Sequence, residues 1–185
     1  AERDMSKLSE AIRRTAKRDS APMGFQRLAA REQPATMLVV ATVRESSSSA
    51  VGDAASAGAD VVLIAPDSPP GADALKEMAG SAGSATVGLW LRQASTEAAK
   101  AAADAAIDFL VFADDNTPAQ VLLNEKLGFV LSLAESADDT SLRVIESLPL
   151  DAVLVSYWDG ELTIKRALEL RRLAGLTRRP LILSV

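Results

Sequence analysis

Seven short apolar runs alternate with helix-like segments along this chain, and that alternation limits its fold more than any other feature. The runs are "TMLVVATV" (36–43), "DVVLIAP" (60–66), "ATVGLWL" (85–91), "DFLVFAD" (108–114), "GFVLSLA" (128–134), "DAVLVSY" (151–157) and "PLILSV" (180–185). Each is rich in Val, Ile, Leu or Phe without strict apolar–polar alternation. A strand of that kind needs cover on both faces, the environment of a parallel sheet. Their starts recur at intervals of roughly 20 to 29 residues, which leaves room for one helix between consecutive strands.

The intervening segments carry helix signals. Examples are "GADALKEMAGSAG" after the second run, "ASTEAAKAAADAA" after the third and "GELTIKRALELRRLAG" after the sixth. Gly58, Gly83 and Gly175 fall where helices should end, and Thr117 before Pro118 reads as an N-cap. Between the fourth and fifth runs, "DNTPAQVLLNEKL" only just supplies the dozen or so residues of a parallel crossover. A local hairpin is the competing expectation there. Ahead of the first run, "MSKLSEAIRRTAKRDS" sets Met5, Leu8, Ile12 and Ala16 on one stripe, which predicts a docking helix ending near Asp19. The organisation expected is an N-terminal helix and lead-in over 1–35, then seven strand–helix units of a single domain over 36–185.

Two α/β architectures accept this pattern: a (β/α)8 barrel and a doubly wound open parallel sheet. A nucleotide-binding open sheet carries a Gly-rich turn after its first strand, and here that turn is "TVRESSSS". The cluster "GSAGSATVG" (80–88) precedes a strand, the wrong side for a dinucleotide fingerprint, and no phosphate loop is present. Uniformly apolar strands and the extra N-terminal helix favour the barrel.

The phrase "AGADVVLIA", a helix-ending Gly followed by Ala-Asp and a strand, resembles the even-numbered units of phosphate-binding-type TIM barrels. The barrels of tryptophan and histidine biosynthesis are the nearest comparison, over residues 36–185 as an architecture. The resemblance implies a barrel fold with a ligand site at one rim. It places no catalytic signature of those enzymes, whose phosphate-binding glycines follow strands seven and eight. The last run, "PLILSV", is apolar to its final residue, and a closed barrel needs its edges paired. The expectation is a fragment of a longer barrel, with an open sheet or a strand supplied by another chain as alternatives. An open edge predicts homo-oligomers.

Composition narrows the chemistry. The chain has no Cys and no His, which excludes thiol nucleophiles, Ser-His-Asp triads, Cys/His zinc, iron–sulfur clusters and a histidine-ligated haem. Its net charge of −5 is scattered, so neither nucleic acid nor a membrane surface is an expected partner. The apolar runs are too short for transmembrane helices and no leader pattern opens the sequence; a cytoplasmic location is the expectation. Two basic groups, Arg13, Arg14, Lys17 and Arg18, then Arg171, Arg172, Arg178 and Arg179, fall late in helices, where cations favour the helix dipole.

Three phrases repeat Asp, strand, Asp: "GADVVLIAPD" (58–67), "IDFLVFADD" (107–115) and "LDAVLVSYWD" (150–159). The leading residues Asp60, Asp108 and Asp151 are expected at the turns that start even strands. The trailing residues Asp67, Asp115 and Asp159 are expected at the opposite rim, where barrel active sites lie. That rim yields Asp114, Asp115, Glu135 and Asp159 as candidate catalytic carboxylates, with Arg44, Arg92 and Trp158 for substrate. Asp67, Asp115 and Glu135 are the candidate ligands for Mg²⁺ or Mn²⁺, which favour oxygen donors. Close carboxyls can also raise one another's pKa for acid–base work, and Arg can clamp a carboxylate or phosphate. The expected activity is that of a lyase or isomerase on a small carboxylated or phosphorylated metabolite. The alternative is a non-catalytic structural or assembly subunit. Asp67, Asn116 and Asp159 also sit where plain helix caps are wanted, and Lys76, Lys100, Lys126 and Lys165 fall in helical segments, which argues against a Schiff-base aldolase.

Overall fold

The computed structural model describes residues 6–18, 37–113, 117–133, 137–155 and 161–184. All seven apolar runs form strands: β1 (Val40–Val43), β2 (Val61–Ile64), β3 (Thr86–Trp90), β4 (Phe109–Ala113), β5 (Gly128–Leu133), β6 (Ala152–Val155) and β7 (Leu181–Leu183). They make one sheet in simple chain order, and each neighbouring pair is parallel. That order excludes the doubly wound alternative, whose strand order reverses at a switch point. The helices are α1 (Lys7–Arg18), α2 (Ser48–Ser56), α3 (Ala72–Ser81), α4 (Thr96–Asp104), α5 (Asp139–Ile145) and α6 (Ile164–Thr177).

Strand side chains alternate between two cores, because successive residues point to opposite faces. Val62, Ile64, Leu89, Leu110 and Leu131 pack outward against Val51 of α2, Leu75 and Met78 of α3 and Leu142 of α5. Val61, Leu63, Phe109, Val130 and Leu154 point inward and share one cluster. Strands as distant in the sheet as β2 and β6 meet in it, so the sheet is curled. Leu8 of α1, only 1% exposed, completes this inner cluster. Its burial contributes about 1.5–3 kcal/mol and plugs the end of the half-barrel where the strands begin.

Two glycines make room for that filling. A Cβ on Gly88 of β3 would fall on the Phe109 ring, and one on Gly128 of β5 would meet Asp151 Oδ2 and, at 2.9 Å, Phe109 Cβ. The inner layer thus accepts one large ring only because the two strands flanking β4 carry no side chain beside it. The two edge strands are the least covered. No residue of β1 or β7 is fully buried, whereas all four residues of β2 and of β6 are.

Several expectations are corrected. The connection between β4 and β5 is neither a hairpin nor an α-helix but a 3₁₀ helix, Ala119–Leu123, joining parallel strands. Its stop is local: Asn124 is extended, and its Oδ1 accepts the Lys126 N–H at 3.1 Å, a turn that ends helical winding. Lys126 is therefore in a turn, not a helix. Thr117 caps nothing, since its hydroxyl donates back to the Ala113 carbonyl at 2.8 Å. Gly58 and Gly83 do end helices at positive φ, but Gly175 lies inside α6, which closes instead on left-handed Arg178 at φ +50°. In α1 the buried positions are Leu8 and Ala11, with Ile12 half-buried and Ala16 exposed; Met5 lies outside the described residues.

Candidate functional site

The two ends of the sheet use their charges differently. At the N-terminal ends, the three leading Asp residues repeat one hydrogen-bond device. Val39 N–H donates to Asp60 Oδ2 at 2.9 Å, Val87 N–H to Asp108 Oδ2 at 2.8 Å, and Phe129 N–H to Asp151 Oδ2 at 3.0 Å. In return each Asp donates its own N–H to the carbonyl of the same residue, at 3.0, 2.8 and 2.8 Å. Every even strand therefore opens with a carboxylate that clamps the start of the odd strand before it. Helix α1 adds to two of these clamps. Lys7 Nζ lies 2.8 Å from Asp108 Oδ1, and the Ser6 and Ser9 hydroxyls donate to Asp151 Oδ2 and Oδ1, each at 2.8 Å. Asp108 and Asp151 thus have partners on both carboxylate oxygens, and Asp60 on one, all within the fold.

The C-terminal ends differ. Arg44 stands one residue past β1, Asp67 three past β2 and Arg92 two past β3. All three are exposed, and none has a side-chain hydrogen bond or ion pair to another described residue. Asp67 does not cap α3, whose N-cap is Gly71. Neighbouring strands are separated by about 4.8 Å, so the ends of β1 and β3 lie about 10 Å apart. Two long guanidinium side chains rooted there can converge on one small anion, with Asp67 rooted between them. Asp114, Asp115, Asn116, Glu135, Tyr157, Trp158 and Asp159 lie outside the described residues. Among the described residues no three carboxylates gather to hold a metal ion.

Several other charged features are engaged within the fold. Ser48, in the Ser-rich start of α2, donates to Glu77 Oε1 at 2.8 Å. In the C-terminal basic group, Arg172 Nε donates to Asp139 Oδ1 at 2.7 Å, and Arg178 pairs with Glu146 at 3.0 Å. Arg179 donates to the Glu146 and Leu148 carbonyls, both at 2.8 Å. These contacts fasten α6 and the lead-in to β7 onto α5. A groove of about 320 Å³ opens at the N-terminal end, between Lys7, Lys76, Gly80, Asp104 and Asp108. Its Asp108 is already engaged by Val87 and Lys7, whereas Arg44, Asp67 and Arg92 have no side-chain partner among the described residues. The rim is the better candidate for that reason. Asp138, the N-cap of α5, has a perturbed acidity. The Ser141 hydroxyl and the Ser141 and Thr140 N–H groups, in that order, hold it below the usual Asp range.

Comparison with solved structures fits this layout. A tryptophan synthase structure from M. tuberculosis superposes with a TM-score of 0.67 at 15% identity, covering 98% of this chain and 80% of that one. The fold is TIM-barrel-like. 3-Hexulose-6-phosphate synthase from Salmonella typhimurium gives a TM-score of 0.59 at 12% identity, covering 80% of this chain and 79% of that one. An HpcH/HpaI aldolase from Desulfitobacterium hafniense DCB-2 gives 0.61 at 11%, covering 79% and 76%. No protein-family model and no curated protein sequence matches the chain. In a TIM barrel, ligands and catalytic groups collect at the C-terminal ends of the strands, the end where Arg44, Asp67 and Arg92 stand. Among the described residues no helix is long and apolar enough to cross a membrane.

Proposed function

We propose that the protein is a barrel lyase or isomerase that binds a small carboxylated or phosphorylated metabolite at its C-terminal rim. The observation that carries this reading is the division of charge between the two ends: clamped carboxylates below, and above Arg44, Arg92 and Asp67, which have no side-chain partner among the described residues. A guanidinium stays ionised at any physiological pH and meets a carboxylate or phosphate in a planar, two-bond geometry. Two of them offset the charge of a dianion and the further charge that grows on carbon–carbon cleavage or on loss of a proton beside a carbonyl. Asp114, Asp115, Glu135 and Asp159 are the carboxylates assigned to acid–base work, and Trp158 to stacking on the substrate. Mg²⁺ or Mn²⁺ would be held by Asp67 with Asp115 and Glu135. The names of the structural neighbours, an aldolase and sugar-phosphate and amino-acid synthases, support the lyase class.

A thermal-shift screen of the full chain tests the proposal, with MgCl2, MnCl2, inorganic phosphate and a panel of small carboxylates and sugar phosphates. A ligand near a hundredfold excess over its Kd adds about 2.7 kcal/mol, which raises Tm by several degrees in a domain this size. Arg44→Ala and Arg92→Ala should each remove the shift while leaving the unliganded Tm unchanged. No shift with any of these compounds sinks the proposal.

A further inference from the structure

Strand alternation fixes what faces the interior of the half-barrel just below the C-terminal rim. Leu63, Val111 and Trp90 belong to the inner cluster, so the residues two further along, Ala65, Ala113 and Arg92, turn to the same side. Ala113 is still within β4. The ladder runs on past the other two strands, with Ala65 N–H donating to the Val43 carbonyl at 2.8 Å and Leu91 N–H to the Val111 carbonyl at 2.9 Å. Extending the pairs Ile64–Leu89 and Trp90–Val111 sets Ala65 abreast of Trp90 and Ala113 abreast of Arg92. Arg44 falls abreast of Ala65 in the same way. The lower inner layer is closed: Phe109 is 1% exposed, beside Gly88 and Gly128. The upper one is not. Trp90 carries the larger ring yet is only half-buried, and Ala65 and Ala113, half-buried too, are too small to cover it. Its indole N–H has no acceptor among the described residues. An indole that fills a core hides its ring and bonds its N–H; Trp90 does neither.

The structure assigns Trp90 as the platform on which the body of the rim ligand lies, and it selects an anion with a flat apolar body, an aryl phosphate or aryl carboxylate, over a polyhydroxylated one. The inference rests on the rim reading above. Arg92 stands two residues, about 7 Å, beyond Trp90 on the same strand, and Arg44 is rooted two strands, about 10 Å, to the side. An anionic group held between the two guanidiniums leaves the rest of a small ligand against the indole. Around that ring the inner wall is hydrocarbon, from Ala65, Val111 and Ala113. A hydroxylated body would give up its water there without gaining a partner, whereas an aromatic one gains both area and ring contact. Trp90 is thus a binding residue that orients the carbon skeleton, while Arg44 and Arg92 hold the charge.

Isotope-labelled full chain gives indole N–H signals from Trp90 and Trp158, told apart in NMR spectra with Trp158→Phe. Phenyl phosphate, glycerol phosphate and inorganic phosphate are titrated in turn. Backbone amides of Arg44 and Arg92 report the anion, and the Trp90 indole signal reports the body. Phenyl phosphate should bind roughly tenfold more tightly than either of the others, and it alone should move the Trp90 indole signal. Trp90→Ala should abolish that preference while leaving the Kd for inorganic phosphate within about twofold, and Trp90→Phe should keep most of it. Shifts at Arg44 and Arg92 with phenyl phosphate binding no more tightly than glycerol phosphate overturn the platform and leave the rim reading standing. So does a wild-type Trp90 indole signal that phenyl phosphate leaves unmoved, a result that stands even if Trp90→Ala fails to fold. Binding of none of the three overturns both readings.

Discussion

Asp151 joins β6, β5 and α1 through one carboxylate, and its removal should cost far more than removal of its counterpart Asp60. In Asp151→Ala the Phe129 N–H, the Ser6 hydroxyl and the Ser9 hydroxyl lose acceptors at 3.0, 2.8 and 2.8 Å. Phe129 is buried, so loss of this bond to its amide costs about 1–3 kcal/mol. The two hydroxyl bonds to a charged acceptor are worth about 1–2 kcal/mol each, roughly halved because the serines, only partly buried, can turn to water. The sum is about 3–4 kcal/mol. Asp60 is exposed and accepts one side-chain bond, from Val39 at 2.9 Å, which puts Asp60→Ala near ~1 kcal/mol. In a domain of this size the two Tm losses should be roughly 10 °C and 3 °C. Urea melts of both variants at unchanged m-value measure the difference. A double-mutant cycle of Ser9→Ala with Asp151→Ala should give a coupling of about 1 kcal/mol. Equal destabilisation by the two Asp variants, or less than about 1 kcal/mol for Asp151→Ala, would refute the idea that α1 is fastened through this clamp.

Three further outcomes follow from particular contacts. Gly88→Ala drives a Cβ into the Phe109 ring and should destabilise by about 1–3 kcal/mol, and adding Phe109→Leu should recover part of that loss; additive losses would contradict the packing. Ala106 ends α4 at φ +60° without being glycine, so Ala106→Gly should raise stability by about 0.5–1 kcal/mol in urea melts, and a loss would show that the residue is not strained. The Asp138 carboxyl is held below its ordinary value of 3.8 by Ser141 and Thr140. A depressed acid stabilises the fold above its unfolded pKa and stops doing so as pH falls through the folded one. The Tm of the wild type should therefore drop more steeply below that value than the Tm of Asp138→Ser, whose cap does not titrate; parallel curves would remove this contribution.

The strands were legible because their burial is legible: unbroken apolar runs such as 60–66 and 128–134 have nowhere to sit but between two layers. Chain order in the sheet was equally accessible, since one helix between consecutive runs permits neighbouring parallel strands. The positions of Asp60, Asp108 and Asp151 at the strand starts also followed from the repeated phrase. Their job did not, because each clamps a residue about 21 or 22 places earlier, a partner set by register rather than by local pattern. The same holds for Ser6, Lys7 and Ser9, ordinary helix-surface residues until α1 docks on the plugged end. The crossover after β4 joins parallel strands, but its 3₁₀ form was not legible because Asn124 bonds its own turn, a competition between side chain and helix that composition hides. At the rim, Arg44, Asp67 and Arg92 stand at the strand ends as anticipated, while the carboxylates assigned to β4, β5 and β6 fall outside the described residues.

Which end of the barrel meets a ligand is the question on which the account turns, and backbone amide NMR during a titration with inorganic phosphate answers it directly. The account predicts shift changes around residues 44–47, 67 and 92–94 at the C-terminal rim, all lost in Arg92→Ala. Changes confined to the opposite groove, at Lys76, Gly80 and Asp104, would contradict it.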